Sequence, residues 1–159
     1  MEDSPLSLVE LRPRKKRVYW YVFEPSDEFE KPWWRPEETV SDREHWLSVQ
    51  HDGSEVGRCK FTLDEGVVSH PQLGDMPHGQ LDILAFEVAV SARGKGVGRD
   101  TVAAIRAAYP LPRLTALNDN EKSRGFWDSL GWVRIEHRIP SLRSERVTYS
   151  EPFPRKVSG

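Results

Sequence analysis

The sequence is poor in cysteine, in long apolar stretches and in net charge, and each shortage excludes a class of protein. Its 159 residues include one cysteine, Cys59, so no internal disulfide can form and no oxidising compartment is required. No stretch approaches the roughly 18 apolar residues of a membrane-spanning helix, and residues 1–20 lack the apolar core of a signal peptide. We therefore expect a cytoplasmic protein without a membrane partner.

Basic and acidic side chains nearly balance. The 23 basic and 25 acidic residues leave a formal net charge of -2, which lacks the electrostatic footprint of a general nucleic-acid binder. A nucleic-acid role would rest on the basic stretch RPRKKR at residues 12–17 alone, so no nucleic-acid partner is expected. The five histidines and the cysteine show no metal-ligand spacing, so no metal is expected either.

The length fits one domain. Residues 1–17 show little periodicity and are interpreted as a mobile basic N-terminal segment, followed by a domain over 18–152 and a tail over 153–159.

Local patterns predict alternating strands and helices. Asp52-Gly53 supplies the positive φ angles of a two-residue hairpin turn, which predicts antiparallel strands over 46–51 and 54–63. The strand–helix–strand unit at 81–117 predicts a right-handed parallel crossover within a mixed α/β sheet, while the other strands can be antiparallel. Further strands are predicted at 18–23, 132–137 and 146–149, and helices at 101–109 and 121–130.

A glycine-rich loop, SARGKGVGRD at 91–100, separates the apolar strand LDILAFEVAV from the first of these helices. Such a loop at a helix start cradles anions, because the first helical N–H groups have no partner inside the helix. A nucleotide P-loop does not fit, since Ala89 stands where its first glycine is needed. A Rossmann fingerprint does not fit either, since Arg99 stands at its third glycine.

A third anion-binding scheme fits residue by residue. Arg93, Gly96 and Gly98 match an Arg/Gln-x-x-Gly-x-Gly/Ala signature, and the loop resembles that of the GCN5-related N-acetyltransferases (GNAT superfamily). The segment NDNEKSRGFWDSLGW at 118–132 is similar to a second motif of that family. The two motifs and their surroundings cover 81–137. The resemblance implies a single α+β domain whose mixed, mainly antiparallel central sheet contains a parallel splayed strand pair and is flanked by helices.

The resemblance also implies that acetyl-CoA is the acetyl donor. Its pyrophosphate would bind at the glycine loop, its pantetheine arm would run beside the backbone of 86–90, and the start of the second helix would form another wall. The residues that match these positions are Phe86, Val88, Val90, Arg93, Gly94, Lys95, Gly96, Val97, Gly98, Arg99, Asn120, Ser123 and Trp127.

Acetyl transfer to an amine needs a base and a group that polarises the thioester carbonyl, and the leaving thiolate can take a proton. The Val88 N–H is the expected polarising group, and Asp82 and Glu87 are the candidate bases. Their separation of five residues places them on opposite faces of a regular strand. Trp127 occupies the position of the family's tyrosine acid, which leaves water, Tyr149 or Tyr109 as the source of the proton.

The sequence therefore predicts an N-acetyltransferase that moves an acetyl group from acetyl-CoA to a primary amine of a small molecule or peptide, by direct attack in a ternary complex. The alternative is an acyl-CoA-binding GNAT-like domain with weak or regulatory activity, which Trp127 favours slightly. The tryptophan pair at 33–34 and the nearby acids Glu30, Glu37 and Glu38 predict a cationic or aromatic acceptor. A homodimer is left open.

Overall fold

A computed structural model describes residues 5–118, 121–136 and 147–152. These residues form eleven strands, two α-helices and two short 3₁₀ turns, at Pro32–Trp34 and Val90–Ala92. The strands are β1 (Ser7–Leu11), β2 (Arg14–Lys16), β3 (Tyr19–Tyr21), β4 (Glu44–His51), β5 (Ser54–Asp64), β6 (Val68–His70), β7 (Gly74–Met76), β8 (Gln80–Val88), β9 (Arg113–Asn118), β10 (Val133–Glu136) and β11 (Val147–Ser150). The helices are α1 (Val97–Ala108) and α2 (Glu121–Ser129).

Seven strands form the main sheet, in the order β1-β4-β5-β8-β9-β11-β10. Its β1–β4, β4–β5, β9–β11 and β10–β11 pairs are antiparallel, and β8 and β9 are parallel. This mixed, mainly antiparallel sheet confirms the predicted α+β fold class. No helix in the described part of the chain is long and apolar enough to cross a membrane.

The predicted hairpin is confirmed at β4 and β5. Asp52 and Gly53 have φ angles of 50° and 81°, so both turn residues adopt the positive values that the Asp-Gly pair predicted. The register shifts between Val49 and Gln50, a bulge that the sequence pattern did not indicate.

The parallel pair is also confirmed, but its ladder is short. It runs from Gln80 opposite Arg113 to Ile83 opposite Ala116, and β8 then continues to Val88. Burial alternates along β8, so that Glu87 is buried on one face while Asp82 lies on the other. Leu84 on the Asp82 face is 37% exposed, whereas the apolar pattern of this strand predicted cover on both faces.

The chain divides into two compact units. The first contains residues 1–62 and 85–110, and its core is rich in aromatic side chains. The second contains residues 63–84 and 111–159. The core of the first unit includes Phe23, Phe29, Trp34, Trp46, Ala85, Ala89 and Ala92, and that of the second includes Leu81, Ile83, Leu114, Ala116, Trp127, Val147 and Tyr149.

The N-terminal segment differs from its prediction as a mobile lead-in. β1 pairs with β4 over five residues, and β2 pairs with β3 in a separate two-stranded sheet. β1 is mostly exposed and is held by the backbone edge of β4, so it shows little of the burial periodicity on which sequence interpretation depends. The strand predicted at 18–23 is likewise shorter, and its Trp20 bridges to Glu37 outside the main sheet.

Candidate functional site

The glycine loop ends directly at α1. Gly94 and Gly96 have φ angles of 76° and 80°, a left-handed conformation that residues with side chains rarely adopt. A Cβ added at either glycine would meet nothing within 4 Å, so open space adjoins the backbone on that side. Gly96 caps α1 without any side-chain hydrogen bond, and the first N–H groups of a helix have no partner inside it. Lys95 and Arg99 are exposed beside them.

Arg93, at the start of this loop, points its charge toward the protein. Its guanidinium donates to Glu30 Oε1 at 2.7 Å, to Glu87 Oε2 at 3.0 Å and to the Val88 carbonyl at 3.1 Å. The side chain therefore ties the loop to the end of β8. Its positive charge is largely balanced by the carboxylates of Glu30 and Glu87.

The Glu87 carboxylate accepts four hydrogen bonds. Besides Arg93, the backbone N–H groups of Glu30 and Lys31 donate at 2.7 and 3.1 Å, and Trp34 Nε1 donates at 2.8 Å. The residue is 5% exposed. Both oxygens of this buried carboxylate are therefore occupied by hydrogen bonds that hold the structure together.

Val88 presents its N–H to the edge of β8 that faces away from β5. The next residue, Ala89, donates its N–H to the Val56 carbonyl of β5 at 2.8 Å. Because successive strand N–H groups point to opposite edges, that of Val88 points the other way. On that edge, the described ladder ends at Ile83. Phe86 and Val88 are half-buried and Val90 is 44% exposed, so this stretch is accessible.

A cavity of about 800 Å³ opens beside this network in the first unit. Glu30, Lys31 and Trp34 line it and also bind Glu87, so one wall is joined to the end of β8. The β2–β3 hairpin contributes another part of the lining. Its cationic lining residues are Arg14, Lys15, Lys16, Lys31, Arg35 and Arg58, against three acids, Glu24, Asp27 and Glu30.

In the second unit, Asp82 has a different environment from Glu87. Its Oδ1 accepts one hydrogen bond from the Thr115 hydroxyl at 2.8 Å, and that hydroxyl in turn accepts from Gln80 Nε2 at 2.9 Å. Burial raises the pKa of Asp82, and the Thr115 hydrogen bond and nearby His70 oppose part of that rise. A carboxyl that is partly buried and accepts a single hydrogen bond takes up a proton more readily than one in water.

His70 belongs to no recognisable sequence motif, yet it interacts electrostatically with Asp82. Its Nδ1 accepts hydrogen bonds from the Gln72 and Leu73 N–H groups, both at 3.1 Å, which fixes the other ring nitrogen as the protonated one. Burial is the main cause that lowers the pKa of His70. No sequence spacing reveals this neighbour, because it comes from the β6–β7 hairpin.

Tyr149 and Trp127 are both buried in the second unit. The Tyr149 hydroxyl donates to Asp128 Oδ1 at 3.0 Å, which ties β11 to α2, and burial is the largest cause that raises its pKa. By strand alternation, Tyr149 and Asp82 lie on opposite faces, since Tyr149 pairs with Ala116 and Ala116 with Ile83. Trp127 packs against Trp132 with ring centroids 4.6 Å apart.

The sequence-predicted residues thus fall into two groups. Residues 86–99 lie together at the end of β8, in the loop and in the first turn of α1. Ser123 and Trp127 lie on α2, and Asn120 lies outside the described residues. Across the described ranges, no group of three His, Cys, Asp or Glu residues could hold a metal ion.

The sequence matches the family model described as the acetyltransferase (GNAT) family over residues 8–132. An acetyltransferase from Thermus thermophilus has a TM-score of 0.54 at 17% identity, over 72% of this chain and 67% of its own. The KacTA–DNA complex has a TM-score of 0.52 at 14% identity, over 70% of each chain. At these identities the likeness is one of fold. Comparison with curated proteins finds no match.

Proposed function

The chain belongs to the acetyltransferase (GNAT) family, and from this premise we propose that it transfers an acetyl group from acetyl-CoA to a primary amine of a small molecule or peptide in the cytoplasm. The observation that carries the proposal is the loop at the start of α1, with two left-handed glycines, open space beside them and a helix N-terminus without a side-chain cap. Free N–H groups and the helix dipole together favour a phosphate group there.

The reaction is a direct attack within a ternary complex. The amine nitrogen attacks the thioester carbonyl carbon, the C–S bond breaks, and the coenzyme leaves as a thiolate. The Val88 N–H, on the outer edge of β8, donates to the carbonyl oxygen as negative charge develops on it. The same edge accommodates the pantetheine arm beside residues 86–90.

Asp82 is the base in this proposal. Its raised pKa and its single hydrogen bond favour proton uptake, whereas the oxygens of Glu87 are occupied by four hydrogen bonds. Asp82 lies six residues before Val88 on β8, and in this proposal water carries the proton from the amine to it. Glu87 is a positioning residue, because it holds Glu30, Lys31 and Trp34 to the end of β8.

Water protonates the leaving thiolate. The Tyr149 hydroxyl is already bonded to Asp128, and a phenolate beside that carboxylate would be unfavourable. The indole N–H of Trp127 can donate a hydrogen bond but is too weakly acidic to give up its proton. Since a thiolate is a competent leaving group near neutral pH, a dedicated acid is not required.

The proposal is tested by thiol release from acetyl-CoA across a panel of primary amines. We expect release with at least one amine, and a rise in KM for acetyl-CoA of about tenfold when Arg99 at the loop is changed to glutamate. Arg12→Glu makes the same charge change at an exposed position outside the loop and should leave that KM unaltered.

The weak or regulatory alternative makes a different prediction. If no amine releases thiol while coenzyme A still raises the thermal midpoint of unfolding, the domain binds its donor without catalysis. If coenzyme A neither protects the fold nor supports turnover, both forms of the proposal are wrong.

A further inference from the structure

We propose that the acceptor carries an anionic group, a carboxylate or a phosphate, in addition to its amine, and that this group binds in the basic pocket of the first unit. The basic pocket is the cavity of about 800 Å³ lined by β2, β3 and residues 22–36 together with Arg58. The inference rests on the proposed function, which it extends to a class of substrate.

The lining of the pocket includes one buried cation, Arg58, which lies against two aromatic rings. Arg58 is 3% exposed, and its guanidinium lies 4.7 Å from the Phe23 ring centroid and 4.1 Å from that of Phe29. It donates to the Glu24 carbonyl at 2.7 Å and to Glu55 Oε1 at 2.9 Å. Arg58 is therefore a structural residue, and its position fixes the wall that carries Glu24 and Phe29.

The other cations of the pocket are exposed. Arg14 and Lys16 lie on the same face of β2, opposite Tyr21 and Tyr19 of β3. Within residues 5–118, 121–136 and 147–152, no hydrogen bond or ion pair involves the side chains of Lys16 or Arg35. These two cations are therefore available to an anion.

Two of the three acids that line the pocket are engaged by cations, whereas the third, Asp27, makes no ion pair within the described residues. Glu30 is paired with Arg93 at 2.7 Å, and Glu24 has Arg14 at 3.9 Å. Glu87 is buried and accepts four hydrogen bonds. The excess of cationic over acidic lining residues favours an anionic group, in place of the cationic or aromatic acceptor that the acids and tryptophans predicted. Of that tryptophan pair, Trp34 is buried and bonded to Glu87.

The pocket also has a suitable size and place. Its volume lies within the roughly 300–1,000 Å³ of small-molecule sites, and a concave site of this size encloses a small ligand or a peptide end better than a polyanion backbone. Its wall at Glu30–Trp34 is bonded to Glu87, one residue before Val88 on β8. In this proposal, an acceptor held by its anionic group at Lys16 and Arg35 extends its amine along this wall toward the end of β8.

The test compares amines that differ in one anionic group. Phenylalanine is compared with phenylalaninamide, and O-phosphoethanolamine with ethanolamine, by thiol release from acetyl-CoA. We expect the anionic member of at least one pair to have a kcat/KM about tenfold higher, as a charge-assisted hydrogen bond provides. The two pairs distinguish a carboxylate from a phosphate.

Single variants then locate the effect. Lys16→Gln and Arg35→Gln should each raise KM for the preferred anionic amine with kcat unchanged, because they remove binding that ground state and transition state share. The double variant should abolish the preference over the uncharged partner. Arg12→Gln removes one cation outside the pocket lining and should change neither constant.

Each outcome decides the inference. If uncharged or cationic amines react as well as anionic ones, the inference is overturned while the acetyltransferase proposal stands. If no amine reacts, the acetyltransferase proposal fails, and the basic pocket is then judged by whether O-phosphoethanolamine raises the thermal midpoint of unfolding. A rise that is lost in the double variant supports the pocket as an anion site. No rise overturns the inference. If tRNA or single-stranded DNA competes with acceptor in a salt-dependent manner and the small anions do not bind, the site belongs to a nucleic acid and the inference is wrong.

Discussion

Two carboxylates on one strand, Glu87 and Asp82, have opposite environments in the two units. Glu87 accepts hydrogen bonds from two backbone N–H groups, an indole and a guanidinium. Asp82 accepts one, from Thr115, and burial raises its pKa. Glu87, the carboxylate next to the glycine loop, thus has both oxygens engaged in structural hydrogen bonds, whereas Asp82 does not.

The difference shows that burial alone does not make a base. A buried carboxylate surrounded by donors is stabilised as an anion, whereas one with few donors is destabilised as an anion and takes up a proton more easily. In this chain the first case builds the wall of the basic pocket and the second supplies the proposed chemistry. Substitutions at Asp82, Thr115 and Glu87 test the assignment of Asp82 as the base and of Glu87 as a positioning residue.

Asp82→Asn should produce the largest effect on activity. It keeps an oxygen for the Thr115 hydroxyl but cannot accept the amine proton, so we expect kcat to fall by about 100-fold or more. Steady-state thiol release measures the loss. A kcat within a few-fold of the original would exclude Asp82 as the base.

The change in stability caused by Asp82→Asn also has a definite direction. The pKa of Asp82 in the folded protein lies above its ordinary value of 3.8, so the folded state binds more protons than the unfolded state just above pH 3.8. Stability therefore decreases as the pH rises through that window, and the penalty persists at pH 7. Asp82→Asn lacks it and should be at least as stable at pH 7, with the difference closing on acidification.

Thr115→Val tests the role of Asp82 without changing Asp82 itself. Thr115 is fully buried, and its hydroxyl lowers the pKa of Asp82, so its removal should move the acidic limb of the kcat/KM profile to higher pH. An unchanged limb would show that another group controls the rate.

Glu87→Gln should produce the largest loss of stability. An amide nitrogen would face N–H donors in a buried site, and we expect unfolding to become easier by about 2 kcal/mol, with a smaller fall in kcat than for Asp82→Asn. Denaturant titration measures this. Glu30→Gln removes only the exposed ion pair with Arg93 and should cost less than about 1 kcal/mol. Equal costs for the two variants would contradict the role of Glu87 as an organiser.

The same comparison explains what could be predicted from the sequence. The hairpin at Asp52-Gly53 and the loop before α1 were predictable because neighbouring residues specify their backbone angles. The role of Glu87 was not, because its donors Glu30 and Lys31 lie 57 and 56 residues away in the chain. The basic pocket was missed for the same reason, since Lys16 and Arg35 share a cavity only after β2 and residues 22–36 have folded.

Trp127→Tyr should produce the smallest effect, and it tests whether the second unit lacks an acid. Trp127 is 5% exposed and packs against Phe126 and Trp132, so a tyrosine hydroxyl there would enter an aromatic cluster. We expect a stability loss of about 1 kcal/mol from the altered packing, and no gain in kcat if water protonates the thiolate as proposed. Single-turnover and steady-state thiol release at several pH values measure it. A large gain in kcat would show that protonation by a side chain limits the reaction, and Asp82 would then not be the main determinant of the rate.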